Sequence, residues 1–338
     1  MKVGIIGCGQ IANLHAKIYR LIEKTEIVAV ADSDYGRARN FGQKFGVPHA
    51  FKDYFDLLEN NEIDYVDICT PTSTHAEIAC NAAKSGVNIL LEKPMARTVE
   101  ECSRIIDESR KKRVKLCPVH NLLFFPIVAL LKQMIDTGEY NLASIRTSYK
   151  IWKEPDRSPK WVFTPEEKGI LWEYGYHLAY LQLEFLKDIR NIRACARKLK
   201  YSVYDKIGAF LSTPELNYGI LELSAVSKQR EFTLEVDNTN GIRVKIDFDN
   251  NTYTEMPELR QNKENRFFHV VKKLVDSICV SKTKKTGLGY SVGHYQLIRK
   301  FIDSIEHDTL PPVEPESGRE VTGLLSRIEE SIGEQSSR

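Results

Sequence analysis

No apolar run among the 338 residues approaches the length that spans a bilayer, so a transmembrane segment is not expected. Cysteine pairs are missing as well. Cys8, Cys69, Cys80, Cys102, Cys117, Cys195 and Cys279 are odd in number, scattered and without a C-x-x-C spacing. That argues against a disulfide framework or a zinc knuckle and for a reducing compartment. Charge of one sign is also lacking: the formal net charge is +2, with acids and bases interspersed. Neither nucleic acid nor an anionic membrane surface is therefore an expected partner. The densest basic clusters, Arg110 to Arg113 and Lys282 to Lys285, are short, the first reading as a helix C-terminus and the second as a solvated loop. No His/Cys/Asp cluster has ligand spacing, and no metal is expected. Repeats and low-complexity tracts are absent. "MKVGIIGCG" enters an apolar pattern at once, so no signal peptide is expected and the compartment expected is the cytoplasm.

What is present is a chain long enough for two domains. Residues 1–120 alternate short apolar runs with helical patterns: Val3 to Ile6, 26–32, 64–71, 87–94 and 114–120 read as strands. Strands apolar on both faces and separated by helices predict a doubly wound parallel sheet, a Rossmann dinucleotide-binding domain. From residue 121 to 338 the character changes. "FPIVALLKQMIDTG" reads as an amphipathic helix. Phe232, Leu234 and Val236, then Ile242, Val244, Ile246 and Phe248, alternate with period two around "NTNG", a hairpin signal. The expectation is an α+β domain with a large, mostly antiparallel open sheet. "NRFFHVVKKLVDSI", "GHYQLIRKFIDSI" and "REVTGLLSRIEESI" read as closing helices.

Gly7-Cys8-Gly9-Gln10-Ile11-Ala12 matches G-x-G-x-x-A between a strand and a helix. Gly7 permits the tight turn, Gly9 lets backbone approach a pyrophosphate, and Ala12 keeps the helix close to the sheet. The backbone N–H groups of Gln10 and Ile11 open the helix toward phosphate. Asp32 ends the second strand, where a carboxylate accepts ribose hydroxyls; it favours NAD, while Arg37 and Arg39 nearby keep NADP open. The plainer alternative is a glycine turn followed by a capping aspartate.

Thr70, Pro71 and His75 follow a central strand, on the edge where ligands bind in such sheets. Thr74-x-x-Glu77 reads equally well as a capping box. Glu92-Lys93-Pro94 falls at the end of the next strand, and Pro94 biases Lys93 toward extended backbone. A desolvated amine beside a positively charged ring exchanges its proton near neutral pH, whereas a charged turn would simply face water.

The glycine loop, the acid after strand two, "TP…H", "EKP" and "VHNLLFFP", in that order, resemble the glucose–fructose oxidoreductase / inositol dehydrogenase / rhizopine catabolism (Gfo/Idh/MocA) family. The resemblance implies a Rossmann domain over 1–120 followed by an α/β substrate-binding and oligomerisation domain over 121–338, whose sheet forms one wall of the active site and carries a homodimer or homotetramer interface. It also implies hydride transfer between NAD(P) and a secondary hydroxyl of a sugar, cyclitol or sugar derivative. Lys93 would take or return the hydroxyl proton. The family's Gly-Gly-x-x-x-Asp-x-Gly-x-His-x-x-Asp element corresponds here to "GILWEYGYHLAY", with Gly175 and His177 in place. Glu173 stands for the usual Asp, and Tyr180 replaces the later acid. His177 would share the proton work, and Glu173, one helical turn away, would orient His177 or a substrate hydroxyl. Asn121, Tyr149, Trp152, Trp161 and Trp172 are weaker substrate-pocket candidates; Glu92, beside Lys93, is a cofactor-side one. Two alternatives come with the resemblance: an NAD-retaining glycosidase-type member, and a nicotinamide-binding sensor whose catalytic apparatus has drifted.

Overall fold

A computed structural model describes residues 1–59, 62–152, 163, 169–256 and 291–336. Two compact units are formed, one from Met1–His120 with His294–Gly323, the other from Asn121–Gly293 with Leu324–Arg338.

The first unit is built on a parallel sheet. Its strands are β1 (Lys2–Ile6), β2 (Glu26–Ala31), β3 (His49–Phe51), β4 (Tyr65–Ile68), β5 (Asn88–Leu91) and β6 (Leu116–Pro118), in the order β3-β2-β1-β4-β5-β6. The connecting helices are α1 (Gln10–Tyr19), α2 (Tyr35–Phe45), α3 (Tyr54–Leu58), α4 (Thr72–Lys84) and α5 (Val99–Lys112). Val66, Ile68, Ile89 and Leu91 are fully buried among Ala79, Ala83, Cys102 and Ile105 of α4 and α5. Small alanines on α4 let it lie close to the strands. Strand order reverses between β1 and β4, the topological switch point where such sheets bind ligands. β3 and α3 are absent from the sequence expectation, because three and five residues are too few to display a period.

In the second unit a 3₁₀ turn at Asn121–Phe124 precedes α6 (Pro126–Asp136), whose first residue is a proline, where its missing N–H costs nothing. Then come β7 (Leu142–Trp152), α7 (Gly169–Glu173), α8 (Gly175–Phe185), β8 (Asn191–Arg197), β9 (Lys206–Ser212) and β10 (Tyr218–Ser224). β11 (Val226–Asn238), β12 (Arg243–Asp247) and β13 (Thr252–Met256) complete a sheet ordered β13-β12-β11-β7-β10-β9-β8. Only the β7–β10 pair is parallel among these strands. The expected hairpin is β11–β12, with Leu234 opposite Ile246 and Val236 opposite Val244. Its turn is closed by the Asn238 side chain, which accepts from the N–H groups of Asn240 and Ile242. On the other face Lys245 pairs with Glu235 at 2.8 Å and Arg243 with Asp237 at 2.6 Å, which is what period-two patterning requires.

The closing helices are α9 (Val292–Glu306) and α10 (Pro315–Ser336). In the first unit Phe301 of α9 meets Tyr65 edge-on at 5.5 Å. Gly318 leaves room for Met95 and Pro118, since an added Cβ would stand 2.6 Å from the Met95 sulfur. The later turns of α10 belong to the second unit, where Arg327 donates to the carbonyls of Ile189 and Arg190. The helix expected over "NRFFHVVKKLVDSI" lies outside the described residues, as does Cys279. No described helix is long and apolar enough to cross a membrane.

Candidate active site

The carboxyl edge of the parallel sheet collects the loops after β1, β4 and β5. Gly7 has φ +92°, and an added Cβ would stand 2.8 Å from the Cys69 carbonyl, so backbone from β1 and β4 touches where only glycine fits. At Gly9 an added Cβ would meet nothing within 4 Å. The position needs no glycine for the protein's own packing and is open to a ligand's approach. Gly9 is the N-cap of α1, contributes no side-chain cap, and the first turn carries no acid. Gln10, Ile11 and Ala12 thus begin a helix whose leading N–H groups face outward, a setting that favours an anion.

Asp32 stands at the end of β2 as a nearly buried carboxylate. Its Oδ2 accepts from the Cys8 N–H at 2.9 Å, its Oδ1 from the Asp34 N–H at 2.9 Å, and the Arg37 guanidinium lies 3.0 Å from Oδ1. Cys8 is an inert filler: burial, with the Asp32 charge, pushes its thiol up to about 12.

The β4 loop corrects one expectation. Helix α4 begins at Thr72 with Pro71 as N-cap, so Thr74 is already inside it and cannot cap. Its hydroxyl turns back to Pro71 O (2.8 Å) and Thr70 Oγ1 (2.9 Å), while Glu77 accepts from Tyr54. Proline at the boundary, with its preset φ, moves the helix start upstream of the Thr-x-x-Glu pattern. His75 is wholly buried, with Nε2 2.8 Å from Thr70 O and Nδ1 2.7 Å from Pro94 O. It therefore braces the β4 loop against the Glu92-Lys93-Pro94 loop. Burial pulls its pKa down, against the two carbonyls.

The Lys93–Pro94 peptide bond is cis. The Lys93 N–H donates to Glu92 Oε2 at 3.0 Å, and Pro94 O is held by His75, so Lys93 is anchored on both sides. Glu92 is 4% exposed, yet its carboxyl is held at about 2: burial opposes this, and His15, His294 and Lys93 overcome it. His15, buried on α1, places Nδ1 2.8 Å from Asp67 Oδ2 and Nε2 3.3 Å from Glu92 Oε1. Tyr19 also donates to Asp67 Oδ2, at 2.7 Å. His15, Asp67 and His294 were not anticipated from sequence. A charged Asp within the apolar run "DYVDICTP", followed to its spatial neighbours, is the one signal that pointed to them.

In the second unit, the Glu173–His177 segment is two helices, not the single helix expected. α7 ends at Glu173 and α8 begins at Gly175, whose added Cβ would stand 2.8 Å from Leu223 and 3.0 Å from Leu171. This close approach puts the junction at Tyr174, so the pair straddles a break instead of sharing one helical face. Leu171 and Leu178 are buried, and Tyr174 stacks on Tyr149 with ring centres 4.8 Å apart.

His177 is buried, its Nδ1 2.9 Å from the Tyr180 hydroxyl. That hydroxyl accepts from the Leu122 N–H (3.1 Å) and donates to Asn121 Oδ1 (3.2 Å). With its one proton given to Asn121, the Tyr180 hydroxyl is left to accept from His177 Nδ1. Asn121 is thus a support for Tyr180. Trp172 is buried, Trp152 is half-exposed with Lys200 over its ring at 4.3 Å, and Trp161 lies outside the described residues.

Residues 1–120 match the family model described as "Oxidoreductase family, NAD-binding Rossmann fold" (GFO_IDH_MocA). Over those residues the chain is similar to the Gfo/Idh/MocA oxidoreductase family. Among curated relatives, myo-inositol 2-dehydrogenase of Thermotoga maritima is 32% identical over 138 residues, 41% of each chain. D-apiose dehydrogenase of Paraburkholderia graminis is 26% identical over 260 residues, 73% of this chain and 68% of that one. The chain spans about half the length or less of several of the curated relatives it matches. The fold is shared with solved structures. Levoglucosan dehydrogenase in complex with NADH and levoglucosan has TM-score 0.82 at 18% identity, covering 99% of this chain and 97% of that one. The WlbA dehydrogenase of Bordetella pertussis in complex with NADH and UDP-GlcNAcA has TM-score 0.84 at 17% identity, covering 99% and 96%.

Proposed function

We propose that the protein is an NAD-dependent oxidoreductase that moves a hydride between nicotinamide and a secondary hydroxyl carbon of a sugar, cyclitol or sugar derivative. The observation that carries this is the anchored Lys93 on the same sheet edge as the open Gly9 loop and Asp32. The curated relatives act, by name, on inositols and sugars, and NADH is in the two solved structures above.

The residues present fit a dinucleotide. Gly9, Gln10, Ile11 and Ala12 would hold its pyrophosphate and Asp32 its adenosine ribose. Thr70, Pro71, His75, Glu92 and Lys93 would form the nicotinamide side, His75 as brace more than contact. When bound, NAD supplies the hydride acceptor. The chain's own work is on the proton. Lys93 takes the hydroxyl proton as the carbon is oxidised and returns it in the reverse direction. His177 orients or shares that proton, and Glu173 binds a further substrate hydroxyl. Asp32 favours NAD over NADP: its carboxylate already has the Cys8 N–H and Arg37 as partners and would repel a 2′-phosphate. The second unit's sheet exposes Phe210 and Tyr218, which stack on each other, and is the face proposed for homo-oligomer contact.

Nicotinamide reduction followed by absorbance, with NAD and NADP against a panel of aldoses, polyols and inositols, tests the reading. Turnover on at least one, abolished in Lys93→Ala, is expected. Near-full turnover in Lys93→Ala would refute the role of Lys93.

A further inference from the structure

Among the buried polar groups that the chemistry above leaves unused, His15 has the most telling neighbours. His15 sits on α1 beneath the Glu92-Lys93-Pro94 loop, wholly buried, with each ring nitrogen toward a carboxylate: Asp67 at 2.8 Å, Glu92 at 3.3 Å. A neutral imidazole carries one N–H, so one nitrogen would aim a lone pair at a carboxylate oxygen in a dry interior. A protonated ring hydrogen-bonds Asp67 and places its positive charge against Glu92 Oε1, a contact of ion-pair distance without hydrogen-bond geometry. Glu92 then spends its second oxygen on the backbone N–H of Lys93 at 3.0 Å. The path Tyr19–Asp67–His15–Glu92–Lys93 lies within one unit and runs through hydrogen bonds except at His15–Glu92, where the link is an ion pair at 3.3 Å.

We infer that His15 is a positioning residue, held as an imidazolium between Asp67 and Glu92, which fixes Glu92 and through it the backbone of Lys93. The inference rests on the proposed role of Lys93, but its first two tests do not need turnover. The groups facing His15 are Tyr19 on its own helix, Asp67 and Cys69 from β4 and its end, Glu92 beyond β5 and His294 on α9. Burial pulls the His15 ring down, and Asp67 with Cys69 carries it well above the usual histidine value. His294, its ring centre 5.4 Å away, is driven down to about 3 by burial and by the His15 charge, so it adds no second positive charge. The donor atoms of His15, Glu92 and His294 lie within 4.8 Å of one another. A proton on His15 balances the charge there with nothing added.

The test uses the full-length protein. Nitrogen-15 NMR should show both His15 ring nitrogens protonated at about pH 8, well above the ordinary histidine range. The Lys93 amide proton should be shifted downfield and exchange at least about tenfold more slowly than in His15→Gln, which keeps a polar group without the charge. In turnover, His15→Gln should lower kcat by about tenfold to a hundredfold with KM for substrate nearly unchanged. Its pH–rate profile should move to higher pH, because the uncompensated Glu92 charge holds the neighbouring proton more tightly. If His15→Gln fails to fold, Asp67→Asn keeps the shape, and His15 should then lose its proton near neutral pH. A neutral His15 ring in the wild type, an unchanged Lys93 amide in His15→Gln, or a stoichiometric divalent metal in the purified protein overturns the inference. Wild-type protein with the expected NMR signals but no turnover on the panel would instead refute the dehydrogenase reading.

Discussion

Removing the Lys93 amine is the sharpest residue-scale intervention, because its backbone is held on both sides and the rest of the loop stays in place. Lys93→Ala should lower kcat by about two to four orders of magnitude while cofactor affinity changes little. Steady-state rates with cofactor titrated by fluorescence check it. Tyr180 offers a second case. Its hydroxyl is shared by the Leu122 N–H, Asn121 Oδ1 and His177 Nδ1, so Tyr180→Phe strands a buried N–H and frees the His177 tautomer. The expected cost is about 1–3 kcal/mol of stability, read in a denaturant titration. Substrate turnover should fall and its pH profile should broaden. The sequence showed Tyr180 only as a departure from the family's acid. That the hydroxyl also ties Asn121 to His177 depends on a fold-back from α8 to the 3₁₀ turn, which no local pattern reveals.

Elements carry the next distinction, in the loop between β1 and α1. Gly7 and Gly9 look alike in the motif, but their surroundings differ. Gly7→Ala puts a Cβ against the Cys69 carbonyl in left-handed backbone and should cost at least about 1–2 kcal/mol, visible as a lower Tm. Gly9→Ala meets no protein atom within 4 Å, so Tm without cofactor should stay at the wild-type value while NAD affinity falls, by calorimetry, about tenfold or more. Equal losses of Tm in both variants would refute the distinction. The strands, the glycine loop, the β11–β12 hairpin and most helices were legible because each is a pattern within a short window. The capping box at Thr74 and the single helix through Glu173 fail for the same reason: local spacing cannot see a proline-set helix start or the leucines that leave room for no side chain at Gly175. The His15 cluster draws one residue each from α1, β4, the end of β5 and α9. It was invisible until the fold brought them together.

At the scale of the whole molecule, the buried histidines set how stability varies with pH. Three have lowered values: His75 by burial, and His120 and His294 driven by burial to about 3. In the unfolded chain each takes a proton near 6.5, which the folded protein refuses, so stability falls as pH drops below 6.5. Each contributes up to about 1.4 kcal/mol per pH unit in that window. Glu92, depressed to about 2, adds a further loss as pH falls from its ordinary value near 4.5 toward 2. His15 acts in the opposite sense. Its folded value is raised, so its contribution is fully present below 6.5 and declines as pH rises toward the folded value. The two slopes meet near pH 6.5, and the acid side is the steeper because three groups act there against one. Denaturant midpoints measured at several pH values across this range should peak near 6.5 and fall faster toward acid than toward alkali. In His15→Gln the alkaline decline should flatten while the acid decline persists. A decline of unchanged slope on the alkaline side of that variant would show that His15 is not the group responsible.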